Sequence, residues 1–180
     1  MKLHQLALLG SLLAMVHCVG CASTHTDSTK SSSSSAAAVT SEFDSLAGET
    51  WRGNLTYLDY SSNKLVTIRS TLRVTKVRPG VWTFATGYDD EPQANGASEV
   101  RLEDAGRVLN NNDMAERVIS RVEQGNQVQV TTESAGQDDS RPATIRKTYT
   151  VSPAKFSIRK EVKLQGTSEF FMRHEYSWTR

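Results

Sequence analysis

Val66-Thr67-Ile68-Arg69-Ser70-Thr71-Leu72-Arg73-Val74 decides the fold. Val66, Ile68, Leu72 and Val74 fall on one face, and Thr67, Arg69, Thr71 and Arg73 on the other. A period of two is that of a strand, whose successive side chains point to opposite faces. The same period extends outward over residues 49–180. Trp82 and Phe84 alternate with Thr83 and Ala85, and Val128 and Val130 with Gln127 and Gln129. Val118 and Val122 bracket Ser120, while Phe156, Ile158, Val162 and Leu164 share a face. The breaks are Ser61-Ser62-Asn63, Arg78-Pro79-Gly80, Asp104-Ala105-Gly106, Gly125-Asn126 and Gly166-Thr167, all with turn chemistry. No segment shows the helical period.

About ten strands at intervals near a dozen residues predict an all-β, antiparallel up-and-down meander. A single sheet of that size curls and closes, which removes the edges that drive aggregation. The expected architecture is a closed barrel of about 8–10 strands, with a split β-sandwich as the alternative. The same alternation builds hollow and filled barrels.

The N-terminus carries a separate signal. Lys2 is a short positive region, and Leu6–Val16 is an apolar run too short to cross a bilayer. Small residues follow, as a secretory cleavage site requires. The closing Cys18-Val19-Gly20-Cys21 resembles the lipobox of bacterial lipoproteins, with Cys18 standing where leucine is usual. The resemblance implies cleavage after Gly20, acylation of Cys21, and residence as a lipid-anchored protein of the outer membrane. Ala22, rather than an aspartate, follows the cysteine, and the periplasmic face is the expected side. Several acyl chains hold a protein on the membrane where one does not. From Ala22 to Glu42 the chain is mostly Ser, Thr and Ala, including Ser31–Ser35, too polar to offset its ordering entropy. The predicted organisation is a signal peptide over 1–20, a flexible tether over 21–44 and one β-domain over 45–180.

Composition narrows the function. The 180 residues carry a formal charge of +1, and loss of Lys2 with the leader leaves zero. A neutral chain without a basic stripe is not expected to bind nucleic acid. Both cysteines, Cys18 and Cys21, lie at the processing site, so the domain has no disulfide, thiolate ligand or cysteine nucleophile. There is no Gly-x-Ser-x-Gly elbow and no phosphate-cradling glycine loop. No catalytic residues, metal ligands or cofactor are assigned, and an enzyme is unsupported.

Leu46-Ala47-Gly48-Glu49-Thr50-Trp51-Arg52-Gly53 at the first strand resembles the start of lipocalin-like domains, with Gly48-x-x-Trp51 in place of the usual Gly-x-Trp. That resemblance implies a barrel closed by Trp51 with an arginine across it, for which Arg180 and Arg173 are the candidates. Together with Met172-Arg-His-Glu-Tyr176, the first strand is also similar to uncharacterised bacterial envelope lipoproteins.

The last hairpin is where a site is sought. A three-residue turn at Gly166-Thr167-Ser168 pairs Leu164 with Phe170, Val162 with Met172 and Ile158 with Tyr176, and sets Lys160 opposite His174. Two basic groups on an apolar face are costly in a dry core but suit a cavity that receives an anionic head group. The competing placement has this face outside near a rim, or Lys160 snorkelling to solvent. Lys160, His174, Tyr176 and Trp178 are therefore the candidate ligand-binding residues. His174 as a haem or metal ligand is disfavoured, because the domain supplies no second histidine. Asp89-Asp90-Glu91 and Asp138-Asp139 read as solvated turns. Two functions stay open: binding of a small apolar or amphiphilic ligand in the barrel, or a filled barrel that engages an envelope protein or the cell-wall polymer.

Overall fold

The computed structural model describes residues 41–180; the expected signal peptide, Cys21 and most of the tether lie outside them. Ten strands run in chain order: β1 Thr50–Asp59, β2 Lys64–Arg78, β3 Val81–Tyr88, β4 Gly96–Glu103, β5 Val108–Asn111, β6 Met114–Gln124, β7 Gln127–Asp138, β8 Arg141–Val151, β9 Lys155–Leu164 and β10 Phe171–Thr179. Each pairs antiparallel with its neighbours, and β1 pairs with both β2 and β10, so the sheet closes into a barrel. The meander expected from the period of two is present, and closure rather than a split sandwich is the outcome.

One end of the barrel is plugged. Glu42–Leu46 forms a 3-10 turn whose Phe43 and Leu46 are wholly buried. These residues belong to the folded body, although the serine-rich composition upstream assigned residues 42–44 to the tether. Phe43 makes edge contacts with Trp82, Phe84, Tyr149 and Phe156 at centroid distances of 5.5 to 6.4 Å. The turn is held from several strands. The Trp51 indole N–H donates to the Leu46 carbonyl at 2.9 Å, and that of Trp82 to Asp44 Oδ1 at 3.0 Å. Arg180 Nη1 donates to the Ser45 carbonyl at 3.1 Å, with its guanidinium carbon 4.5 Å from the centre of the Trp51 ring.

Register departs from strict alternation in two informative places. A shift between Val118 and Ser120 leaves Val118 buried but Val122 42% exposed, so the two do not share a face. A second shift lies between Met172 and His174. Lys160 pairs with His174 and Ile158 with Tyr176, but Val162 pairs with Phe171, and β10 begins too late for a Leu164–Phe170 pair. The cause is one extra residue, Arg173, in β10, a bulge that re-aims side chains without ending the ladder.

Gly53 of β1 permits a close approach of β1 to β10. A Cβ there would lie 1.9 Å from the Ser177 carbonyl oxygen and 2.7 Å from the Trp178 Cα. Only a glycine lets β1 and β10 pack at this distance beneath Trp178.

Candidate functional site

Filling stops partway along the barrel. Beyond the aromatic layer the lumen opens into two adjoining cavities of about 290 and 360 Å³ that share Lys160 and His174. The inner cavity is walled by Leu72, Phe84, Ile145, Ile158, Tyr176 and Trp178, with Lys147 among them. The outer cavity is walled by Leu55, Tyr57, Ile68 and Tyr88, and is rimmed by Glu91, Asp138 and Arg173. The β10 bulge explains why Arg173 and His174, adjacent in sequence, border the same cavity.

The four residues singled out by sequence are brought together. Trp178 is buried, stacked on Phe156 at 5.6 Å and on Tyr176 at 4.8 Å, and its indole N–H donates to Ser70 Oγ at 3.0 Å. His174 sits edge-on to Tyr176 at 5.4 Å. The Tyr176 hydroxyl meets that of Tyr88, on β3, at 2.6 Å. Burial and then this hydrogen bond push the Tyr176 phenol up, so it stays protonated.

The expected basic pair of Lys160 and His174 carries a single charge and has an acidic neighbour. His174 is lowered to about 4, first by burial and then by the charges of Lys160, Lys147 and Arg173, with Asp138 opposing. It is therefore a neutral imidazole at pH 7. Lys160 does not stand alone: its Nζ lies 3.4 Å from Asp138 Oδ1, and Arg173 Nε lies 3.6 Å from the same atom. Asp138 is not a solvated turn residue but is buried at the end of β7, where it also accepts a hydrogen bond from the Tyr60 hydroxyl. Burial, then Asp138, pushes the Tyr60 phenol up to about 12. Arg173 stacks on the Tyr60 ring at 4.2 Å and donates to the Leu58 carbonyl.

A second polar cluster borders the inner cavity. Glu116, 1% exposed, accepts hydrogen bonds from Lys147 Nζ, from the Tyr149 hydroxyl at 2.9 Å and from Thr132 Oγ1 at 2.8 Å. Three donors on one carboxylate offset its desolvation. Burial, with Glu116 next, holds the Tyr149 phenol well up. Within the lumen, Lys147, Lys160 and Arg173 thus face Glu116 and Asp138, with Glu91 on the rim loop.

Lys147, Glu116 and Tyr88 escaped the sequence reading, Asp138 was expected in a solvated turn, and Arg173 was a candidate for the place over Trp51 that Arg180 takes. Alternation carried the signal for several of them: Asp138 lies an even number of residues from Val130 on unbroken β7, and Lys147 stands between Ile145 and Tyr149. Their partners are not sequence neighbours: Lys147 meets Glu116 and Asp138 meets Lys160 two strands along the sheet, and Tyr88 meets Tyr176 across the β1–β10 closure.

No protein-family model matches this chain, and no curated protein matches it. Solved structures do match. The crystal structure of Rv2717c from M. tuberculosis superposes with a TM-score of 0.52 over 77% of this chain and 96% of that chain, at 12% sequence identity. The likeness is one of fold.

Proposed function

We propose that this protein is a lipid-anchored envelope protein that takes a small amphiphilic ligand into the open half of its barrel, with the ligand's anionic head at Lys160 and Arg173. One observation carries the reading: a cationic pair, partly answered by Asp138, stands directly beside a chamber walled by aliphatic and aromatic side chains. Ligand sites combine a mostly apolar cavity with a few placed polar groups in this way. The plugged end supports the filled-barrel alternative, and the open end supports the ligand reading. Anchoring through Cys21 is part of the proposal and rests on the lipobox resemblance alone.

Titration of the full chain with lauric acid and with lauryl alcohol tests the reading. The acid is expected to bind at least about tenfold tighter, as one charge-assisted hydrogen bond provides. Lys160→Gln is expected to erase most of that difference. Equal binding of acid and alcohol, or binding of neither, overturns the reading.

A further inference from the structure

The Tyr88–Tyr176 hydroxyl pair stands at the boundary of the two cavities, beside the Lys160 and His174 that both share. Tyr88 walls the outer cavity and Tyr176 the inner one, and their oxygens meet at 2.6 Å although β1 and β2 separate their strands. The two side chains therefore meet across the inside of β1 and β2 rather than on neighbouring rungs of one ladder. Small residues make room for the contact: level with Tyr88 along the ladder stand Ser70 and, beyond it, Gly53. The two ends differ in restraint. Tyr176 is clamped by stacking on Trp178. Tyr88 is the last residue of β3, and its backbone N–H donates to Asn95 Oδ1 at 2.7 Å, which ties it to the rim loop carrying Glu91 and Ala94.

Each chamber alone, at about 290 and 360 Å³, sits at the lower end of what ligand sites use, roughly 300–1,000 Å³. They adjoin at Lys160 and His174, and joined they would run from the Lys160–Arg173 pair to Trp178. We propose that the tyrosine pair is a bar that sets ligand length: the occupant is a single-chain alkyl carboxylate, and a long chain enters the inner chamber only when Tyr88 releases Tyr176. This rests on the reading under Proposed function. The bar itself contributes one neutral hydrogen bond, a small barrier that a few added methylenes outweigh, so it acts as a filter rather than a seal.

The test is a chain-length series from hexanoic to palmitic acid, titrated into the full chain and into Tyr88→Phe, Tyr176→Phe and the double variant. All four are first checked for an unchanged melting profile. In the unaltered protein, affinity is expected to climb about fourfold per methylene, stall where the tail reaches the pair, and climb again only for the longest chains. Each single variant is expected to remove the stall. The double variant is expected to add nothing beyond either single one, because both remove the same bond. Parallel length profiles in all four proteins, or additive effects in the double variant, overturn the bar while leaving the ligand class intact. Absence of binding by every acid to every protein overturns the ligand class and the bar together.

Discussion

Asp138 Oδ1 lies 3.4 Å from Lys160 Nζ, on a strand two places round the barrel, so the cation that marks the candidate site carries its own resident anion. Arg173 reaches the same oxygen at 3.6 Å. An incoming carboxylate must share or displace these contacts. Asp138→Asn is therefore expected to raise lauric-acid affinity by about tenfold or more, since it frees charge-assisted donors. It is also expected to lower stability by about 1–3 kcal/mol, because two half-buried cations lose their partner. Titration of the variant beside chemical denaturation separates the two effects; weaker acid binding would show that Asp138 supports the site rather than occupying it.

His174 makes stability depend on pH. Its ordinary value of 6.5 applies in the unfolded chain, whereas the folded protein holds it at about 4. Between those values the unfolded state binds more protons, so stability rises with pH. The penalty from His174 is absent above about 6.5 and grows as the pH drops toward 4, to about 3 kcal/mol. Denaturation midpoints at several pH values are expected to slope across this window, and His174→Gln is expected to flatten that slope.

Gly53 is fixed by the backbone of the opposite strand. Gly53→Ala places a Cβ against Ser177 and Trp178, and neither backbone atom yields easily. The cost is expected at the upper end of overpacking, about 3 kcal/mol. Gly96→Ala meets nothing nearer than 4.0 Å and is expected to stay within about 0.5 kcal/mol of the unaltered protein. Thermal melting of the pair checks the contrast.

Phe43 ties the plug to four aromatic rings from β3, β8 and β9. Phe43→Ala is expected to cost about 3–5 kcal/mol, the scale of a large-to-small change in a closed core. A change below 1 kcal/mol would show that the turn merely rests on the barrel end.

The strands were legible because burial on one face of a sheet writes itself as alternation, and Val66–Val74 does so over nine residues. Lys160 opposite His174 was legible for the same reason: register on a hairpin is set by which residues must stay inside. Two things were not. The bulge at Arg173 is a local insertion that the hydrophobic pattern tolerates, so alternation alone extended the pairing to Met172 and Phe170. The plug was hidden by its polar flanks, since Phe43 and Leu46 are single apolar residues after a serine tract. Asp138 was misread because a carboxylate beside a turn is ordinarily solvated. What buries it is Tyr60, Lys160 and Arg173, from strands and turns far apart in sequence.

The most direct measurement is native mass spectrometry of the full chain before and after organic extraction. A discrete extra mass that extraction removes, fragmenting as a single-chain acid and absent from Lys160→Gln, is the expected result. An unchanged mass in both proteins, with no shift on adding lauric or palmitic acid, would contradict a ligand-holding lumen and favour a barrel that works through its outer surface.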